Sequence, residues 1–352
     1  MDKIDILSLE LDEIENILIG LGEKKFKAKQ IFRWLHVRRV FDFDKMTDIS
    51  VQLRTALKEK FCINRLFVQK KLESHTDNTV KYLYRLNDGN FVETVLMEYS
   101  YGYSICVSTQ VGCKMGCNFC ASAVAGFVRN LQPSEILMQI YGTENDMNIR
   151  VSGIVLMGIG EPLDNYDNVL KFLRLVSDKD GNNLSLRHVS LSTCGIVPKI
   201  YELAQLRLGL TLSVSLHSAD DMRRSEIMPV NRKYHIPELI EACRYYIQRT
   251  GRRITFEYAV IDGVNSSEKD ADRLAALLRG INCHVNLIPV NRIRERSYRT
   301  TRGAAAAFAK QLGKRGINAT VRRTLGSDIE AACGQLRRDA DKEISENGGA
   351  DK

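Results

Sequence analysis

The spacing of apolar residues changes character twice along the chain. Over the first sixty or so residues it is helical. Leu11, Ile14, Ile17, Leu18 and Leu21 form one stripe that stops at Gly20 to Gly22, with Ser8 placed as its cap. A second helix spans 24–39, with Phe26, Ile31, Trp34 and Leu35 on one face, and residues 50–61 predict a third. From 65 to 100 the pattern becomes alternating. Val80, Tyr82, Tyr84 and Leu86 lead into a turn at 87–90 that contains Asp-Gly, and Phe91, Glu93, Val95 and Met97 lead out of it. This is the pattern of a β-hairpin. From 103 onward, strands at 104–109, 153–157, 188–193, 210–215, 254–260 and 284–288 alternate with helices at 133–142, 166–177, from Pro198, 237–249, 268–279 and 303–315, before a last strand at 319–323. Six βα units predict an α/β fold with a parallel sheet and outer helices, and fewer than eight predict a partial (β/α)6 barrel.

Composition narrows the class. The 352 residues carry a formal charge of +8, which favours an acidic partner such as nucleic acid. The stretch 24–39 holds seven Lys/Arg and no acid; it reads either as a solvated helix face or, slightly favoured, as an RNA phosphate contact. No apolar run reaches membrane-spanning length, and the N-terminus lacks a signal-peptide layout. Nine cysteines in a chain this long do not make a disulfide scaffold. A reducing, cytoplasmic location is expected, with no membrane partner and nothing that demands more than a monomer.

The cysteines carry the chemistry. Cys113, Cys117 and Cys120 are spaced C-x3-C-x2-C. Three thiolates from one loop leave one iron of a [4Fe–4S] cluster open to a small molecule, and S-adenosylmethionine (SAM) is the expected ligand, cleaved on reduction to a 5′-deoxyadenosyl radical. Structural zinc is the weaker reading, because no second CxxC is present; three packed thiols is weaker again. The polar residues that follow strands cluster on the face where barrel sites form: Gly160 and Glu161, Ser192, Ser215, Leu216 and His217, and Asn291. Glu161 or the backbone beside it suits the SAM amino group. Any one of them alone reads as a satisfied turn residue. Cys333 lies among Ala331, Ala332 and Gly334, which suits an accessible thiol that must reach a substrate, or a cysteine packed in a short helix. Cys106 lies on the strand feeding the cysteine loop, close to the cluster or in the core. Cys62, Cys194, Cys243 and Cys283 read as structural. Spacing alone makes Glu93 a surface strand residue. Arg292, Arg294, Arg296, Arg299 and Arg302, with Tyr298 among them, suit a nucleic-acid contact at the barrel mouth, and the tail after Arg338 is expected to fray.

Taken together, the cysteine triplet, the MGIGEPLDN segment at 157–165, Ser215-Leu-His217, the stretch from His284 to Asn291 and the stretch from Asp328 to Leu336 resemble the RlmN family of radical-SAM, dual-specificity RNA methyltransferases. The likeness covers nearly the whole chain. It implies a division into a helical RNA-binding domain (1–64), a β-hairpin extension (65–102), a radical-SAM partial barrel (103–323) and a C-terminal segment (324–352). It implies two SAM per turnover. The first would methylate Cys333. The second, cleaved at the cluster on Cys113, Cys117 and Cys120, would activate that methyl group for addition to carbon 2 of an adenine. Cys106 would then resolve the protein–RNA adduct by forming a disulfide with Cys333, and Glu93 would be the proton acceptor. Gly160, Glu161, Ser192, Ser215, Leu216, His217 and Asn291 would contact SAM. The implied substrates are 23S rRNA, in its peptidyl-transferase region, and tRNA, at the adenosine 3′ of the anticodon, with a flavodoxin- or ferredoxin-type reductase as electron donor. Arg292 departs from the proline many members place there. The sister Cfr-type carbon-8 methyltransferases share the cysteines, but Pro162 after Glu161 fits the RlmN pattern better. A non-catalytic iron–sulfur or zinc RNA-binding protein would need Cys106 and Cys333 only for packing, and the motif around Cys333 argues against a glycyl-radical activase.

Overall fold

The structure is a computed structural model, and it describes residues 3–124, 126–290 and 298–329. Ten strands form one sheet: β1 (Phe67–Glu73), β2 (Val80–Arg85), β3 (Phe91–Tyr99), β4 (Gly102–Cys106), β5 (Val151–Leu156), β6 (Val189–Thr193), β7 (Thr211–Ser215), β8 (Ile254–Val260), β9 (Cys283–Pro289) and β10 (Ala319–Val321). They lie side by side in sequence order. β1 to β4 pair antiparallel, as hairpins, and β4 to β10 pair parallel. The parallel connections run through α4 (Pro133–Met147), α5 (Tyr166–Ser177), α6 (Val197–Gln205), α7 (Ile236–Thr250), α8 (Glu268–Leu278) and α9 (Ala304–Lys314). This is the partial (β/α)6 barrel that the alternation predicts, extended at one edge by the hairpin strands.

Local chemistry sets the helix ends. Pro133 opens α4, and Glu135 reaches back to the N–H of Gln132 at 2.8 Å. Ser267 caps α8 by accepting from Asp270 N–H, and Gly251 ends α7 in the left-handed region at φ 67°. Leu191, Leu212, Val214, Phe256, Val285 and Leu287 point out of the sheet and are buried beneath the helices. The other face carries Ser192, Ser213, Ser215, Thr255, Glu257, Asn286 and Thr320. Ser215, Glu257, Asn286 and Thr320 stand opposite one another across four neighbouring strands.

Three further helices, α1 (Leu11–Gly20), α2 (Phe26–His36) and α3 (Val51–Lys60), precede the sheet in the chain and share its apolar core. The sequence places Ser8 as the cap of α1, but Glu10 takes that role in a capping box with Glu13. Ser8 instead donates to Asp5 at 2.6 Å and accepts from Ser134 N–H at 3.0 Å, tying the N-terminus to α4. The basic stretch finds acids elsewhere in the fold: Lys25 with Glu15, Lys29 with Asp180, and Arg39 with Glu144, the last pair almost fully buried at 2.9 Å. Among the described residues, no helix is long and apolar enough to cross a membrane.

The sheet stays open between β10 and β1, and the chain after β10 spans that gap. Asp328 accepts from Ser74 Oγ at 2.7 Å and from His75 N–H at 2.9 Å, while Gly326 N–H donates to Asp77 at 2.7 Å. The segment is thereby fastened to the β1–β2 turn on the far edge.

Candidate active site

The cysteine loop leaves β4 at the C-terminal end of the sheet. A short antiparallel pair, Gln110–Gly112 with Phe127–Asn130, closes its base. Asn118 pins the loop to the segment after β7: its N–H donates to Ile227 O at 2.9 Å and its amide to Glu226 O. Cys120 N–H donates to Cys117 O at 3.1 Å, and Lys114 pairs with Asp164 at 2.8 Å. Met115, Cys117 and Phe119 rest on an apolar floor of Cys194, Ile227 and Met228. Burial pushes the Cys113 thiol up to about 12 and the Cys117 thiol higher still, and the neighbouring cysteines push the same way. Such thiols stay protonated alone, but a bound metal centre converts them to thiolates. Among the described residues no group of three or more His, Cys, Asp or Glu converges on a single point. A four-iron cluster takes each thiolate on a different iron and needs no such point. Three soft sulfur donors on one anchored loop therefore fit the cluster.

The next turn holds Gly158 and Gly160. A Cβ on Gly158 would meet Val107 O at 2.6 Å, and one on Gly160, at φ 113°, would meet Gln110 N at 2.8 Å. Only glycine lets this turn press against the strand that enters the cysteine loop. Glu161 is buried, and burial raises its pKa. It accepts from Leu163 N–H at 3.0 Å and from Cys194 N–H at 2.7 Å, bracing the ends of two strands. Arg224 does similar work. Its fully buried guanidinium donates to the carbonyls of Cys194 (2.8 Å), Ser215 (3.0 Å) and Leu216 (3.0 Å) and to Asn231 Oδ1 (2.6 Å). Burial among neutral acceptors lowers its pKa to about 10.

A cavity of about 550 Å3 opens over the polar face of the sheet. Cys106, Cys120, His217, Met157 and Asn286 are in its wall, as are Val95 and Met97 from the hairpin. His217 has a left-handed backbone (φ 55°). Its Nδ1 accepts from Ala259 N–H at 2.9 Å, and Phe119 meets its ring edge-on at 4.7 Å. Burial depresses its pKa to about 3, so the ring is neutral with its proton on Nε2. Cys106 pairs with Val95 across β3 and β4.

Glu93 departs from the surface position that spacing assigns it. It is buried on the same strand face as Val95 and Met97, and pairs with the fully buried Lys81 at 3.0 Å. Ser192, one residue before the end of β6, and Ser215, at the end of β7, are half-buried, and Leu216 after β7 is buried. Asn291 and Cys333 lie outside the described residues, as do Arg292, Arg294 and Arg296. The structure thus brings Cys106, Cys120 and His217 to one cavity, with Glu93 on the adjoining strand. Sequence reasoning missed Lys81, Glu257 and Arg224. The Asp-Gly turn carried a signal for Lys81, because it sets a register in which Lys81 faces Val95 and lies diagonal to Glu93. Arg224 had none.

An open parallel barrel, with a three-cysteine loop at the C-terminal end of its first parallel strand and a polar cavity beside it, defines a radical SAM enzyme. The radical SAM superfamily model matches residues 107–275, and a model described as "Ribosomal RNA large subunit methyltransferase N-terminal domain" matches residues 4–63. The chain belongs to the RlmN family and is a methyltransferase. It is 52% identical to the "Probable dual-specificity RNA methyltransferase RlmN" of Alkaliphilus oremlandii, covering 96% of this chain and 98% of the relative. It is 50% identical to the protein of the same description from Lachnospira eligens, covering 98% and 99%. The crystal structure of a radical SAM methyltransferase from Sphaerobacter thermophilus superposes with a TM-score of 0.90 at 41% identity, covering 94% of this chain and 98% of that one.

Proposed function

We propose that this chain methylates carbon 2 of adenosine in 23S rRNA, in the peptidyl-transferase region, and in tRNA, 3′ of the anticodon, consuming two SAM per turnover. The observation that carries this reading is the shared cavity. Cys106 and Cys120 are in one wall, so a thiol outside the cluster triplet faces the space where the radical would arise. Cys113, Cys117 and Cys120 would hold the [4Fe–4S] cluster, which supplies one-electron cleavage of SAM.

The remaining steps fall to the chain's own residues. The backbone at Gly160 and the Ser192, Ser215, Leu216, His217 and Asn291 positions would seat SAM. Glu161 accepts two backbone N–H groups, which shapes the turn, and its remaining lone pairs or the backbone beside it would bond the SAM amino group. Cys333 would carry the methyl group into the cavity, five residues beyond the fastened Asp328. Glu93 would take the proton from the adenine carbon, held in place by Lys81. Cys106 would attack the Cys333 sulfur, forming an S–S bond as the sulfur–carbon bond to the adenine breaks; the released carbon takes up a proton to become the methyl group, and a cellular reductant reopens the disulfide. Helices α1 to α3 would serve RNA binding, within the four-part division given above. A flavodoxin- or ferredoxin-type reductase, a monomeric state and a cytoplasmic location complete the proposal.

The test is anaerobic turnover of the cluster-loaded protein with SAM, reductant and unmodified 23S rRNA fragment or tRNA, followed by nucleoside mass spectrometry. 2-Methyladenosine that disappears in Cys333→Ala is the expected result. 8-Methyladenosine would move the chain to the Cfr-type chemistry. Deoxyadenosine with no methylated base would overturn the RNA assignment.

A further inference from the structure

Beside the cavity mouth runs an open groove of about 610 Å3, walled by Asp77, Asn78, Glu98, Tyr99, Tyr101 and Arg323. Tyr99 and Arg323 wall both the groove and the cavity of Cys106 and Cys120, so the two spaces adjoin. The rings of Tyr99 and Tyr101 stack at 5.1 Å and 5°. Tyr101 is 73% exposed, so the outer face of the pair is open. The tyrosines stand on the tight β3–β4 turn, where Tyr99 pairs with Gly102 and Gly102 lies against Ser152, leaving no room for a Cβ. Arg322 and Arg323 are exposed beside them: Arg323 walls both groove and cavity, and Arg322 lines the cavity, where its charge acts on Glu257. A flat aromatic face and two exposed guanidinium groups, pre-positioned next to a reaction cavity, match a nucleotide.

The carboxylates in the groove set its orientation. Asp77 is committed to the N–H groups of Thr79 and Gly326, and Glu98 accepts from the Asn78 amide at 3.0 Å. Their charge repels a phosphate and attracts a base amino group, so the phosphate belongs on the arginine side. The reaction also creates the need. A target adenine must leave its stack to enter the cavity, which deprives its neighbour of a stacking partner.

We propose that the groove seats the nucleotide adjoining the target adenosine, its base stacked on Tyr101 and its phosphate held by Arg322 and Arg323. This rests on RNA being the substrate. The test measures both affinity and kcat/KM for an anticodon stem-loop and a 23S rRNA fragment, each intact and with an abasic residue on either side of the target. Tyr101→Ala is expected to lower both by about 10- to 100-fold, while Tyr101→Trp stays within about twofold of the parent. An abasic residue at one neighbouring position should cost the parent protein as much and cost Tyr101→Ala nothing further. Arg323→Gln should flatten the salt dependence of binding by roughly one phosphate contact. RNA-independent SAM cleavage should be unchanged in Tyr101→Ala, which separates the groove from the cluster. Affinity within about twofold of the parent in Tyr101→Ala, or an abasic penalty that adds in full to the substitution, would overturn the proposal and leave the groove to a protein partner. RNA that binds with the expected pattern but is never methylated would sink the methylation reading and keep the groove.

Discussion

The two faces of the parallel sheet come from the same strands and have opposite chemistry. On β7, Leu212 and Val214 are buried beneath helices, while Ser213 and Ser215 point the other way. On β8, Phe256 faces the helices, while Thr255 and Glu257 face inward. A closed barrel would fill its interior with branched apolar side chains. This one leaves its interior polar and partly hollow, so the outer face must carry the stability and the inner face is free for ligands. The hairpin extension repeats the contrast in sharper form, with an ion pair, Lys81–Glu93, on its inner face.

Breaking the contrast at its most expensive point should have the largest effect. Lys81→Met removes the buried cation 3.0 Å from the Glu93 carboxylate and should cost about 3–5 kcal/mol in denaturant unfolding. Lys81→Met combined with Glu93→Leu should recover most of that stability and still show no methylated product. On the outer face, Phe256→Ala should cost about 3–5 kcal/mol by opening a cavity under α7 and α8, with SAM binding by the folded fraction intact. The result that would blur the two faces is a loss of SAM affinity without a loss of stability.

A smaller effect should come from His36, where α2 meets α4. Its ring is fully buried, with Nδ1 3.1 Å from the Tyr141 hydroxyl, and burial holds its pKa at about 3. The folded value lies below the unfolded one, near 6.5. The contribution is therefore complete above pH 6.5 and is lost as pH falls towards 3, by at most about 1.4 kcal/mol per pH unit. His36→Leu should lack this slope between pH 6.5 and 5, above most carboxylate titrations. Equal slopes in both proteins would mean that His36 gains water and a proton without unfolding. The smallest change in stability belongs to the inner face: Ser192→Ala should shift unfolding by less than about 0.5 kcal/mol while weakening SAM binding roughly 2- to 10-fold. Calorimetry on the cluster-loaded protein reads both.

Much of this was legible in advance because it depends on short-range pattern. The six βα units follow from the hydrophobic period, and every parallel strand falls within a few residues of its expected place. The cysteine loop follows from spacing. Ser8 misled because two caps compete within three residues and contact with α4 decides between them. The basic stretch at 24–39 looked uncompensated because its acids, Glu15, Asp180 and Glu144, lie outside the stretch, two of them more than a hundred residues further on. Glu93 looked like a surface residue because alternation reports which residues share a face, and not whether that face meets water.

By itself, then, the sequence determined the class of fold, the cysteine loop and the family, all encoded in local periodicity and in motifs of a few residues. Tertiary structure alone decided which charges are buried and with whom. It put Lys81 against Glu93, and it set Arg224 against the carbonyls at two strand ends. It also carried residues 326–328 across the open edge of the barrel to the β1–β2 turn. The physical reason is the same in each case. The cost of burying a polar group depends on partners brought close by folding, and separation along the chain says nothing about them.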